Sequence, residues 1–459
     1  MEHIAKPHCG ARLDRLPDCR WHSSMFAIVA FGLLVCWSNA VGGLILAQLK
    51  ELGWTDNSTT ATFSAITTAG MFLGALGGGI IGDKIGRKNA FILYEAIHII
   101  AMVVGAFSPN MTFLIACRFV MGVGLGALLV TLFAGFTEYM PGRNRGTWSS
   151  RVSFIGNWSY PLCSLIAMGL TPLISAEWNW RVQLLIPAVL SLMATIIAWR
   201  RFPESPRWLE SRGRYAEAEK VMRAIEEGVV LQTGKPLPPV VIEDDGKAPR
   251  AVPYSALLTG VLLKRVILGS FVLIAMNVVQ YTLINWLPTI FMTQGINLKD
   301  SIVLNTMSMF GAPFGIFIAM LVMDKIPRKT MGVGLLVLIA GLGYIYSLQT
   351  SMLLITLIGF FLITFVYMYV CYASAVYVPE IWPTEAKLRG SGLANAVGRI
   401  SGIAAPYAVA VLLNGYGVTG GFVLLGTVSI IVAIAIATIG IETKGVSVES
   451  LGIDAVTSK

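Results

Sequence analysis

The hexapeptide Asp83-Lys84-Ile85-Gly86-Arg87-Lys88 recurs almost unchanged as Asp324-Lys325-Ile326-Pro327-Arg328-Lys329, about half of the 459-residue chain away, and each copy sits between two long apolar runs. Repetition at that distance marks duplicated half-proteins rather than short stacked units. Stretches close to the roughly 20 residues that a helix needs to cross a bilayer occupy about 24–49, 60–82, 89–107, 112–136, 149–174 and 182–202. Six more follow at about 265–292, 301–323, 331–348, 352–378, 390–413 and 420–441. Hydrocarbon offers no water to the backbone, so each run must close its own hydrogen bonds as a helix. The expected fold is all-α integral membrane: twelve transmembrane helices in two pseudo-symmetric bundles of six.

Charged residues make up only 13% of the chain, against about 25% in soluble domains. The net charge of +9 is spread over short loops without an aromatic-basic stripe, which excludes nucleic acid as a partner. Six cysteines without a CxxC pair give neither a disulfide framework nor a metal site. With the N-terminus inside, the inner loops hold Lys84, Arg87, Lys88, Arg143, Arg145, Lys325, Arg328, Lys329, Lys387 and Arg389. The outer loops then hold only Lys50, Arg181 and Lys299, so both termini are expected in the cytoplasm. The expected organisation is a tail over 1–22, a first bundle over 23–202, a cytoplasmic loop over 203–264, a second bundle over 265–441 and a tail over 442–459. In the loop, Trp208–Glu227 has apolar residues at spacings of three or four and predicts one amphipathic helix, followed by a Pro- and Lys-rich linker over 235–253.

Several motifs in the right order carry a resemblance over nearly the whole chain. Gly82-Asp83-Lys84-Ile85-Gly86-Arg87-Lys88, Arg118 followed by Gly122, Gly124 and Gly126, Pro203-Glu204-Ser205-Pro206-Arg207 and Glu442-Thr443-Lys444-Gly445 resemble motifs of the major facilitator superfamily, specifically its sugar-porter branch. The resemblance implies a metabolite transporter, expected to work as a monomer without cofactor. Short loops and a compact chain fit the bacterial inner membrane, and with no HExxH, nucleophile-base set or paired intramembrane carboxylates the chain is not expected to be an enzyme. It also implies a cytoplasmic latch formed by Asp83, Arg87, Glu138, Arg145, Glu204, Arg207, Asp324, Arg328, Glu380 and Arg389. In the second half Lys387 stands where the family has arginine, with Arg389 two positions on. Gly122, Gly124 and Gly126, with Gly74, Gly77, Gly78 and Gly79, read as places where two helix backbones approach closely.

Polar residues inside membrane helices are costly and nominate the substrate path. Ser153 and Asn157 share a face of the fifth helix with Tyr160, and Asn395 takes the symmetry-related place in the eleventh. Asn277, Gln280, Tyr281 and Asn285 form a stripe ending at Trp286, and amides suit a polyol because each donates and accepts. The resemblance adds that Gln280 and Asn285 keep the spacing of hydroxyl-binding residues in sugar porters. Asn39 in the first helix and Tyr372 as an aromatic wall complete the candidate set. Arg399, about 10 residues into the eleventh helix and so about 15 Å deep, calls for an anion such as a sugar acid. The first helix has Cys36-Trp37-Ser38-Asn39 where proton-coupled sugar porters carry an aspartate, which leaves Glu95, with His98 as partner and Arg118 nearby in sequence role, as the candidate proton site. The expected function is proton-coupled uptake of a sugar or sugar acid by alternating access. Transport of an organic or aromatic acid, or export of a metabolite or drug, is the alternative, and the sequence shows no GPxxGG export motif in the fifth helix.

Overall fold

The computed structural model describes residues 7–17, 19–33, 36–140, 145–240, 253–323, 325–383 and 386–444. The chain opens with α1 (Cys9–Asp14), and the first membrane pass is built from α2 (Arg20–Leu33), α3 (Trp37–Ala40) and α4 (Gly42–Glu51). Then come α5 (Asn57–Ile85), α6 (Arg87–Ala106) and α7 (Met111–Tyr139), the last capped by the Asn110 side chain on the Phe113 N–H at 2.9 Å. The fifth pass is divided into α8 (Arg145–Asn157) and α9 (Ser159–Leu170). The break falls where Pro161 removes the N–H that would reach back to Asn157. The sixth pass is α10 (Ala176–Arg201).

The central loop holds two helices instead of the single one expected. These are α11 (Pro206–Ser211), capped by Ser205 with Pro206 at its first position, and α12 (Tyr215–Thr233). Gly213, at φ 71°, turns the chain between them and ends the apolar register that the sequence carries through. Residues 241–252 of the expected linker lie outside the described residues. The second half runs through α13 (Tyr254–Leu257), α14 (Gly260–Thr293), α15 (Leu298–Met309), α16 (Gly311–Val322), α17 (Arg328–Ser347) and α18 (Met352–Cys371). A π-helical turn over Tyr372–Tyr377 leads into α19 (Val378–Glu380), where Pro379 has no N–H for the regular ladder. The final α20 (Lys387–Ile439) contains two passes joined at Gly417, whose φ of 63° and ψ of −158° are not helical.

Ten helical stretches are long and apolar enough to cross a membrane, counted among the described residues. Counting the divided fifth pass and the two passes joined in α20 gives the twelve that the sequence predicts.

The chain forms two compact units. One comprises residues 1–39, 70–159 and 184–246, and the other 40–69, 160–183 and 247–459. In the first, α5 and α7 touch backbone to backbone: a Cβ on Gly70, Gly74, Gly78 or Gly126 would collide with main-chain atoms of the facing helix. Gly77 and Gly79 face open space, so only part of the predicted glycine set packs. In the second, α4 packs on α14, where Gly43 meets the backbone of Ile284 and Asn285. The Asn305 amide donates to the Ser164 hydroxyl at 3.0 Å, and Asn57 donates to Asn414 at 2.5 Å.

Candidate functional site

Each copy of the repeated hexapeptide opens a helix whose first N–H groups have no partner within it. In the first unit, Glu204 fills that need by accepting from the Arg87 N–H at 2.7 Å and the Lys88 N–H at 3.3 Å. In the second, Glu442 accepts from the Arg328 N–H at 2.7 Å and the Lys329 N–H at 3.1 Å. A carboxylate at a helix N-terminus also complements the helix dipole.

The arginine side chains repeat as well. Arg87 reaches Asp83 at 2.6 Å and Glu138 at 2.7–2.8 Å, and Arg328 forks onto Glu380 at 3.0 and 3.1 Å. Tyr139 donates to the Pro203 carbonyl at 2.6 Å, and Tyr377 to the Ile441 carbonyl at 3.0 Å. Sequence separations match between halves: 117 and 114 for arginine to capping glutamate, 51 and 52 for arginine to paired glutamate, and 64 for both tyrosines.

The two copies differ where their sequences differ. Gly86 sits at φ 97°, which lets the Glu204 carboxylate lie against its Cα where a Cβ would collide. Pro327 holds φ at −56°. The caps also titrate in opposite directions. Burial pushes Glu204 above the usual carboxylate value, against the N–H groups of Ser205, Lys88 and Arg87. For Glu442 the upward push of burial is outweighed by the N–H groups of Arg328, Lys329 and Lys444, which hold it low. Acidification therefore protonates Glu204 before Glu442.

Other latch candidates have partners of their own. Arg207 donates to the Glu138 carbonyl and pairs with Asp14 of α1, both at 3.0 Å. Arg389 lies over the Tyr254 ring at 5.2 Å. Asp324 and the side chains of Arg145 and Lys387 lie outside the described residues. Glu442 and Thr443, whose hydroxyl donates to Glu380 at 2.6 Å, belong to the cluster although the sequence reading used them only as a family motif. Overlaying the two halves from the hexapeptide would have found Glu442 opposite Glu204.

Within the spans, Glu95 and His98 do not pair with each other. His98 bonds the Ser38 hydroxyl at 2.8 Å and the Met121 carbonyl at 2.9 Å. Arg118 donates to the Ser38 carbonyl at 2.8 Å, so the chain segment expected to carry an aspartate offers a hydroxyl and a carbonyl instead. The fully buried Glu95 carboxylate makes no well-formed hydrogen bond among the described residues, with the Ser191 hydroxyl beside it.

The substrate candidates divide. In the first unit the Asn157 amide turns back to the Ser153 carbonyl at 2.8 Å, and Asn39 is half-buried. In the second, Asn277 bonds the Leu273 carbonyl at 2.7 Å and packs beside Gly398, while the Tyr281 ring packs on Gly402. Gln280, Tyr281 and Tyr160 surround the Tyr367 hydroxyl, and the Tyr160 and Tyr367 rings are 5.5 Å apart. Arg399, one residue past Gly398, is half-buried and has no hydrogen-bond or ion-pair partner among the described residues. Asn395 is exposed and bonds its own helix at Ser391, and Asn285 and Trp286 are buried where α14 meets α4. Tyr372 lies apart from this group. The π-helical turn seats it fully buried, stacked on Tyr377 at 5.0 Å with its hydroxyl against Gly332. Tyr367 is the helix-ten tyrosine that joins the polar group.

Twelve membrane passes in two repeats, each with the same charge cluster and with polar side chains inside the spans, define a secondary transporter. A family model described as Major Facilitator Superfamily matches residues 26–406. The chain is 93% identical, over the full length of both, to the provisionally named metabolite transport protein YdjK of Escherichia coli (strain K12). It is 43% identical, over 96% of its length and 98% of the relative's, to the inner membrane metabolite transport protein YdjE of the same organism. Among solved structures, a partially occluded inward-open conformation of the xylose transporter XylE from E. coli superposes with a TM-score of 0.73 at 17% identity, covering 93% of this chain and all of that one. The chain belongs to the Major Facilitator Superfamily.

Proposed function

We propose that the protein takes up a small polar metabolite across the bacterial inner membrane by alternating access, with a sugar acid as substrate class and protons as the driving ion. One observation carries the anionic reading: Arg399 is an arginine within a membrane span that has no hydrogen-bond or ion-pair partner among the described residues, next to the Gly398 and Gly402 positions where the amide and aromatic stripe of α14 packs. A cation in that setting gains most from a bound anion. Gln280, Tyr281, Tyr160 and Tyr367 supply hydroxyl-compatible groups, and the names of the xylose transporter and of YdjE support a sugar-like solute and the inner membrane. An aromatic acid is the second reading, favoured by the tyrosines around Gln280.

The charge clusters act in this reading as cytoplasmic latches, one per half, with both termini in the cytoplasm. Glu95 carries the proton, and His98 and Arg118 set the polarity around Ser38. The test is uptake of a labelled aldonate into vesicles with an imposed proton gradient. Glu95→Gln is expected to abolish accumulation while exchange of substrate across the membrane continues. Accumulation at the wild-type level would remove Glu95 from the coupling path.

A further inference from the structure

A cavity of about 600 Å³ opens between the first-unit helix ends and the central-loop helices, apart from the polar groups of the spans. Four basic residues line it, Lys88, Arg201, Arg214 and Lys220, against two acids, Glu204 and Glu217. Both acids are already engaged. Glu217 is forked by Arg214 at 2.5 and 2.7 Å, and Glu204 caps α6 through the Arg87 and Lys88 N–H groups. Lys88, Arg201 and Lys220 are left facing one cavity with no ion-pair partner among the described residues. Four cations against two carboxylates leave the hollow with a net positive charge, which an anion joining them would relieve.

The position narrows the chemistry. Lys88 is the second residue of α6 and Arg201 the last of α10, so both stand where membrane spans end, and Trp21 at the start of the first pass lines the same hollow. Leu209, Val221 and Ile225 give it an apolar wall. Basic heads over an apolar wall with a tryptophan at the membrane edge suit a phosphate ester carrying or lying beside hydrocarbon.

We infer that this cavity is a binding site for a phosphate-bearing anion, held by Lys88, Arg201 and Lys220. A phospholipid headgroup and a soluble phosphate ester share that chemistry, and the experiment separates them. The full-length protein is purified and analysed by native mass spectrometry after exchange into micelles doped with phosphatidylglycerol or phosphatidylcholine. The wild type is expected to retain phosphatidylglycerol in preference to phosphatidylcholine, and the variant Lys88→Gln/Arg201→Gln/Lys220→Gln to retain about tenfold less of it. Displacement of retained lipid by millimolar inorganic phosphate or glycerol phosphate, or retention of those ions alone, assigns the site to soluble phosphate. Resistance to them assigns it to the headgroup. Arg223→Gln removes one positive charge from a position of α12 that pairs with Glu219 outside the cavity, and is expected to change nothing. Equal phosphatidylglycerol retention by the triple variant and wild type, with no phosphate bound, would overturn the site. So would an equal loss in Arg223→Gln.

Discussion

Replacing Arg399 with alanine is expected to lower uptake of a carboxylated substrate by about 100-fold or more, the effect of losing about 3 kcal/mol from a desolvated charge pair. The protein should remain folded, because Arg399 contributes no ion pair or hydrogen bond to the described structure. Arg399→Lys keeps a point charge but loses the planar fork that matches a carboxylate, so it should recover only part of the uptake. Uptake measured in reconstituted vesicles, alongside thermal melting of the same samples, separates the two effects. An unstable Arg399→Ala protein, or a stable one with unchanged uptake of acids, would contradict the assignment.

The second large effect is expected at Arg87. Its guanidinium joins Asp83 at the end of α5 to Glu138 at the end of α7, while its own N–H is held by Glu204 after α10. Alanine leaves the mostly buried Glu138 carboxylate without its cation, at a cost of about 3 kcal/mol. Thermal melting should fall, and transport should drop steeply if the cluster sets the balance between conformations, since about 1.4 kcal/mol shifts such a balance tenfold. Arg328→Ala is expected to be milder, because Glu380 keeps the Thr443 hydroxyl at 2.6 Å. The double substitution Arg87→Glu/Glu138→Arg should restore part of what either single change loses. A double variant whose loss equals the sum of the two single losses would show that the pair is not energetically coupled.

The membrane passes and the first-half charge cluster were legible because their physics is local. A twenty-residue apolar run has one way to satisfy its backbone in lipid, and Asp83 and Arg87 lie one helical turn apart whatever the tertiary structure does. What escaped the sequence depends on the path of the chain between helices. Glu204 belongs to the latch set, but that it caps the α6 backbone depends on Gly86, whose φ of 97° turns the first N–H groups of α6 toward it. Glu95 and His98 lie at helical spacing, yet His98 is claimed by Ser38 and Met121 from other helices. Tyr372 and Tyr367 could not be told apart by periodicity, since the π-helical turn before Pro379 breaks the register of helix ten. The single amphipathic pattern over Trp208–Glu227 likewise hid the turn at Gly213.

Binding of a polar metabolite through its carboxylate separates the proposed substrate class from neutral sugars. Counterflow in vesicles loaded with individual aldonates, uronates, aromatic acids or neutral hexoses distinguishes the two. Exchange is expected with one or more sugar acids and with none of the matching neutral sugars. Exchange with neutral hexoses and none with any acid would contradict that expectation and leave Arg399 without the role proposed here.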